Sequence, residues 1–121
     1  MTDQYSTYVP ANGPDDAKIM LVGEGPGIDE VREGRGFVGR AGKELDKWLL
    51  ATGIKRDDCY ITNVTHYMPK GDKEKFFIDK GQLQPVYVDG IRELVSDIKR
   101  IKPNVVVPLG NYALYPLFGE W

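Results

Sequence analysis

Hydrophobic positions divide this chain into segments of two kinds. Short continuous apolar runs lie at Ile19–Val22, Cys59–Val64 and Val105–Leu109. Runs of this length without alternation are the pattern of parallel strands covered on both faces. Elsewhere the apolar residues recur at helical spacing. Leu45, Trp48, Leu49 and Thr52 fall at i, i+3, i+4 and i+7 from Gly42 onward, and Gly53 follows as a stop. On this pattern Trp48 belongs to the core. Ile91, Leu94, Val95, Ile98 and Ile101 form a second stripe, opened by Pro85 and ended by Pro103. Tyr112 to Phe118 predicts a last short helix.

The order β–loop–α–β–loop–α–β–α predicts an α/β fold in three layers. A parallel β-sheet carries helices on both faces, joined by right-handed crossovers. Val105–Leu109, apolar throughout, is expected at the centre of the sheet. Residues 1–17 contain Pro10, Gly13 and Pro14 without a period and read as an irregular lead-in. His66 to Leu83 also lacks a period. Its Lys70, Lys73, Lys75 and Lys80 stand against Asp72, Glu74 and Asp79, the make-up of a solvated loop.

In such a sheet ligands bind at the carboxyl ends of the strands. Gly23–Gly27, Asn63 and Gly110 are expected to meet there. The stretch from Lys18 to Gly42 carries Gly23, Gly25, Gly27, Gly34, Gly36, Gly39 and Gly42. That density lets backbone approach a ligand closely. Phe37 and Val38 are apolar residues within it, which suits a flat ligand held against backbone. The competing reading is a tight strand-to-helix turn with no ligand. Neither familiar phosphate motif fits. No Gly-Lys-Ser/Thr follows, and Ile28 stands where a dinucleotide fingerprint needs its third glycine.

Composition narrows the class. At 121 residues, positions 1–121 are expected to form one domain. No apolar run approaches the roughly 18 residues of a membrane span. The first 17 residues lack an apolar signal core, so a cytoplasmic location is expected. A single Cys59 excludes an intrachain disulfide and a cysteine-rich metal site, and reads as a small buried hydrophobe. His66 is the one histidine, with no aspartate at a recognisable spacing, and is more simply structural than catalytic. The net charge of −2 does not advertise nucleic-acid binding. Backbone amides and a local basic patch can nonetheless serve that purpose.

Gly23-Glu24-Gly25-Pro26-Gly27, then Gly36-Phe37-Val38-Gly39-Arg40-Ala41-Gly42, then Tyr60-Ile61-Thr62-Asn63-Val64 and Val106-Val107-Pro108-Leu109-Gly110 occur in order. Together they resemble the uracil-DNA glycosylase superfamily, in particular its iron–sulfur, family-four branch. The similarity runs from Lys18 to about Gly119. Tyr8-Val9-Pro10 with Gly13-Pro14 is similar to the glycosylase-like domains fused to some phage DNA polymerases.

The resemblance implies excision of uracil from DNA in base excision repair, by hydrolysis of the N-glycosidic bond. It implies a base flipped into a pocket. Phe37 would stack on it, and Gly23, Gly25, Pro26 and Gly27 would line its bed. Asn63 would read its edge, because one amide offers a donor and an acceptor in fixed geometry. Glu24 and Glu30 are the family-matched acids for orienting water, with a solvated surface acid as the equal alternative. Expected partners are uracil-containing or single-stranded DNA and a fused or associated DNA polymerase, with no membrane. If the chain is phage-encoded, the cytoplasm is the host's. The loop from His66 would then be a lip touching phosphate.

Departures from the family pattern are as informative. Its four cluster cysteines are missing, two from before the first strand, one near Tyr67 and one near Asp89. No iron–sulfur cluster, other cofactor or metal is therefore expected. A Lys-Cys-Arg-Pro-Pro-like run is replaced by His66-Tyr67-Met68-Pro69-Lys70. Gly25 stands where other branches carry an aspartate. The family's later His-Pro-Ser segment has no counterpart before Trp121. The domain is accordingly expected to be truncated at its C-terminus, to lack the last strand and to show little or no glycosylase activity. The alternative is a non-catalytic DNA-binding or accessory domain of a phage DNA polymerase. A nucleotide-binding α/β domain is disfavoured by the missing fingerprints.

Overall fold

β1, Ile19–Gly23, is the middle strand of a parallel sheet in the order β2-β1-β5, with β2 at Cys59–Asn63 and β5 at Val105–Leu109. The computed structural model describes residues 7–118. Ile19 lies opposite both Cys59 and Val105, and Gly23 opposite both Asn63 and Leu109. Helices α1 (Ile28–Glu33) and α2 (Arg40–Thr52) follow β1. A single 3-10 turn at Arg56–Asp58 leads into β2. Between β2 and β5 come α3 (Lys73–Phe77), a hairpin of β3 (Ile78–Asp79) and β4 (Gln82–Leu83), and the long α4 (Pro85–Ile101). Helix α5 (Asn111–Phe118) follows β5.

Alternation along the strands builds two cores. Met20 and Val22 of β1 join Tyr60 of β2 and Val64 just beyond it, against Phe77, Tyr87, Leu94, Ile101 and Ala113 from α3, α4 and α5. Leu21 faces the other way. With Cys59 and Ile61 it packs on Leu45 and Leu49 of α2 and on Phe37. The sheet is therefore covered by helices on both faces, the three-layer α/β arrangement. Two glycines let the layers close. A Cβ at Gly90 would overlap the Val64 carbonyl, and one at Gly42 would overlap the carbonyl of Phe37. Cys59 is a buried free thiol, its pKa pushed up by burial and by Asp58.

Three expectations are corrected. β5 is not central; β1 is, and Val105 is half exposed. The apolar run of β5 reflects cover on its two faces, which does not require neighbours on both edges. Trp48 is not core. The buried stripe of α2 is Gly42, Leu45 and Leu49, and Trp48 lies on its flank, 57% exposed. The stretch after His66 is not a bare loop. Asp72 caps α3, its carboxylate accepting from the amides of Glu74 and Lys75. Lys80 and Gly81, both at positive φ, then turn β3 into β4 in the manner of a tight hairpin. Five- and two-residue elements are too short to show a period, so only Asp72 and Gly81 signalled them.

The lead-in is packed where it is described. Asn12 exchanges backbone hydrogen bonds with Ile61, covering the outer edge of β2, and Val9 is buried with its amide donating to the His66 carbonyl. Positions 1–6 of that lead-in, and 119–121, lie outside the described residues. Among the described residues no helix is long and apolar enough to cross a membrane.

Candidate functional site

Because the strands end in register, Gly23, Asn63 and Leu109 stand side by side at the carboxyl edge. A cavity of about 710 Å³ opens there. Gly23 to Gly27 form its bed. α1 and α2 make one wall, while Met68, Pro69 and Lys73 make the other. All the expected binding residues, Gly23, Gly25, Pro26, Gly27, Phe37 and Asn63, line this one cavity, as do Glu24 and Glu30.

Gly23 is where the chain narrows to admit two side chains. A Cβ there would overlap Asn63 Oδ1 and lie 2.5 Å from Phe37 Cζ. Phe37 and Asn63 are both nearly buried, at 8% and 6% exposure. Phe37 reaches this place from a left-handed backbone, φ 57°, that a residue with a Cβ rarely adopts. Neighbouring groups hold it there. The Val38 and Gly39 amides donate to Glu30 Oε2 at 2.9 and 2.7 Å, and Arg56 Nη2 donates to the Gly36 carbonyl at 3.0 Å. Arg56 is fixed in turn by Asp46 at 2.8 Å.

The two family-matched acids differ in their surroundings. Glu30 Oε1 accepts from the Gly27 amide at 2.8 Å, so this carboxylate ties the start of α1 to the start of α2. Burial pushes its pKa up, but the amides of Gly39, Gly27 and Val38 outweigh that and hold it below the ordinary value. Such a carboxylate is a weak base. Glu24 is ion-paired through Oε1 with Lys73, while Oε2 accepts from the Tyr112 amide at 3.1 Å. It thereby joins the β1 loop to α3 and to the first turn of α5. Tyr112 is held in its turn by the Tyr87 hydroxyl, which donates to the Tyr112 carbonyl at 2.7 Å, and by stacking on Phe77. At Gly25 a Cβ would stand 2.8 Å from Thr65 Cγ2 and 3.1 Å from Pro69 Cδ, so an aspartate there would require both to move.

His66 is elsewhere. Its Nδ1 lies 2.8 Å from the Val9 carbonyl and its Nε2 3.4 Å from Glu93 Oε1. Tyr8 stacks on the ring at 4.6 Å, and its hydroxyl donates to Glu93 at 2.9 Å. Tyr8, His66 and Glu93 border a separate cavity of about 190 Å³, together with Tyr67 and Asp89. Tyr67 and Asp89 stand near the positions where the family resemblance calls for two of the cluster cysteines. The residues present do not fit an iron–sulfur cluster, which is held by several thiolates. The single cysteine, Cys59, is buried on the α2 side of the sheet. Among the described residues no group of three or more His, Cys, Asp or Glu is placed to hold a metal ion.

Sequence reasoning did not assign Lys73, Trp48 or Arg40 to the cavity. Lys73, half exposed, spans the mouth to Glu24; its signal was the Asp72 cap that fixes where α3 begins. Trp48 looked like core because it falls at helical spacing, yet it lines the cavity on the solvent side of Leu45. Arg40, in the first turn of α2, brings a second cation to the rim.

The family model of the uracil DNA glycosylase superfamily matches residues 10–120. The type-4 uracil-DNA glycosylase of Archaeoglobus fulgidus is 39% identical over 114 residues, covering 93% of this chain and 53% of the relative. That of Thermotoga maritima is 38% identical over 109 residues, covering 90% and 53%. A DNA polymerase of Bacillus phage SP01 is 29% identical over 109 residues, 84% of this chain and 10% of the polymerase. The chain thus spans about half the length of the glycosylases it matches. With the family model matched across nearly all of its length, the chain belongs to the uracil DNA glycosylase superfamily.

Proposed function

We propose that the cavity receives a uracil base turned out of DNA, and that the chain serves the hydrolysis of its N-glycosidic bond. The observation that carries this reading is the meeting of Phe37 and Asn63 over Gly23. An aromatic ring and a nearly buried amide line a cavity whose bed is glycine-rich backbone. That suits a flat, hydrogen-bonding ligand. Phe37 supplies the stacking surface. The Asn63 amide donates to uracil O4 and accepts from N3–H, a pairing that cytosine reverses. In the reaction water adds to C1′, the C1′–N1 bond breaks, and its electron pair leaves on uracil N1. The Gly25 amide is the candidate donor for that anion, since Pro26 has no N–H and the Gly27 amide is engaged by Glu30. Glu24 is the candidate to orient the water, once Lys73 is drawn to a DNA phosphate.

Residues 1–121 act on this reading as one domain that needs no iron–sulfur cluster, in the cytoplasm of the cell or of a phage's host. The test is binding and cleavage of a single-stranded oligonucleotide containing one deoxyuridine, against the same strand with deoxycytidine. Preference for deoxyuridine that disappears in Asn63→Ala supports the reading; equal affinity for both strands overturns it.

A second reading has its own observation, the similarity of 84% of this chain to a phage DNA polymerase. In that case the domain holds DNA beside a polymerase without cutting it. Uracil-dependent binding with no strand cleavage after alkali would favour it.

A further inference from the structure

We propose that Glu30 is a positioning residue that sets the Phe37 ring through the backbone. The inference rests on the stacking role of Phe37 argued above. The Val38 N–H belongs to the peptide unit that joins Phe37 to Val38. A hydrogen bond from it, 2.9 Å to Glu30 Oε2, therefore fixes the orientation of that plane and with it ψ of Phe37. The Gly39 amide, on the same oxygen at 2.7 Å, fixes the next plane. The other oxygen is anchored to Gly27 at 2.8 Å, in the bed of the cavity. Glu30 thus spans from the bed to the backbone immediately after the stacking ring.

Phe37 needs such a hold. Its φ of 57° brings Cβ close to the carbonyl group of the preceding residue, Gly36, and an unrestrained chain would leave that region. Space around the clamp is matched to it. A Cβ on Gly39 would press on Glu30 Oε2 at 3.2 Å and on Asp29 Oδ2 at 2.8 Å. A Cβ on Gly42 would overlap the Phe37 carbonyl, so α2 closes on the loop from the other side. With both oxygens engaged by three amides, Glu30 has little capacity left for a water proton. Its geometry serves shape rather than proton transfer.

The experiment has two arms on the 121-residue chain. Without ligand, amide hydrogen exchange of Gly27, Val38 and Gly39 is followed by NMR in wild type, Glu30→Gln and Glu30→Asp. Exchange should speed up about tenfold or more in both variants, the weight of one charge-assisted hydrogen bond. The contact between the Phe37 ring and the Gly23 Hα should weaken at the same time. In the second arm, affinity for the deoxyuridine strand is measured in wild type, Glu30→Gln, Phe37→Ala and the double variant. Glu30→Gln should weaken binding several-fold, and this effect should vanish in the Phe37→Ala background. An undiminished effect in that background, or unchanged exchange at Val38 and Gly39, overturns the proposal. So does unchanged affinity in Glu30→Gln with loss of the acidic limb of a pH–rate profile, which would make Glu30 a base. If wild type binds no deoxyuridine strand, the stacking reading fails and the exchange arm alone decides the clamp. Should Glu30→Gln not fold, Glu30→Asp keeps the charge and carries both arms.

Discussion

Phe37 and Asn63 occupy the same space above Gly23, the ring tip and the amide oxygen converging where a side chain at that position would begin. Neither residue could stand where it does if β1 ended in anything larger. Gly23→Ala is therefore expected to displace Asn63 or Phe37 from the cavity. Overpacking of a tight site costs about 1–3 kcal/mol. The deoxyuridine preference should fall with it, which a competition between deoxyuridine and deoxycytidine strands will read.

Phe37 offers a separate test of strain and of stacking. A left-handed residue with a Cβ costs roughly 1–2 kcal/mol relative to its usual backbone. Phe37→Ala removes the ring but keeps the strain, whereas Phe37→Gly removes both. The glycine variant should be more stable than the alanine variant by about 1 kcal/mol in urea unfolding. Both should lose about 1–3 kcal/mol of affinity for a stacked base. Equal stability of the two would show that the loop relaxes once the ring is gone.

How far the sequence carried these conclusions depends on the length scale of each signal. The strands at Ile19, Cys59 and Val105 and the helix opened by Pro85 were legible because each has several residues of one period. The glycine loop announced a ligand edge, and Phe37 and Asn63 could be named from the segments that carry them. What stayed hidden was relational. Nothing in the Val105–Leu109 run distinguishes a central strand from one paired on a single edge. Trp48 is separated from the buried Leu45 stripe only by where α2 meets the cavity. The carboxylate of Glu30 finds Val38 and Gly39 across a short helix that lacked the length to be predicted. The Glu24–Lys73 pair joins residues 49 positions apart, and only the fold brings them together.

Acid should loosen the loop through Glu30. Its pKa in the folded chain lies below the ordinary 4.5, because three backbone amides favour the charged form against the opposing effect of burial. A lowered folded value means stability that is fully present above the ordinary value and is lost as pH falls through the folded one. The melting temperature of wild type should therefore exceed that of Glu30→Gln near pH 7. The gap should narrow as the pH drops below 4.5. A gap that does not change between pH 7 and pH 3 would show that the charge on Glu30 contributes nothing.

α4 approaches β2 so closely at one point that only a glycine fits. A Cβ on Gly90 would overlap the carbonyl of Val64, a backbone atom that cannot rotate away. In an exposed helix Gly→Ala would gain about 0.5–1 kcal/mol. Here the sign should reverse, with Gly90→Ala destabilising by about 1–3 kcal/mol as α4 is pushed off the sheet. Thermal unfolding of the variant, with far-ultraviolet circular dichroism to confirm its helix content, will read the sign directly.

Cleavage by this 121-residue chain is expected to be slow even if uracil binds well. The bed, the ring and the base-reading amide are assembled around one cavity. A charged donor for the departing uracil anion is less well provided. The chain's only histidine, His66, is held between Val9 and Glu93 beside Tyr8, away from the cavity. Lys73 reaches the rim but is paired with Glu24, so it neutralises the very acid that would orient water. Absence of one preorganised donor typically costs about 10²–10³ in rate. Incubation with a deoxyuridine oligonucleotide, then alkali to cut abasic sites, should show turnover at least that far below a type-4 glycosylase assayed alongside. His66→Ala should leave the residual rate unchanged. Lys73→Ala frees Glu24 and distinguishes the two roles of the lysine: a faster rate shows that the pair restrained the base, and a slower one that the ammonium itself serves the anion or the phosphate. Turnover equal to that of the type-4 glycosylase would show that the Gly25 amide, left available where Gly27 is engaged by Glu30, stabilises the leaving group unaided.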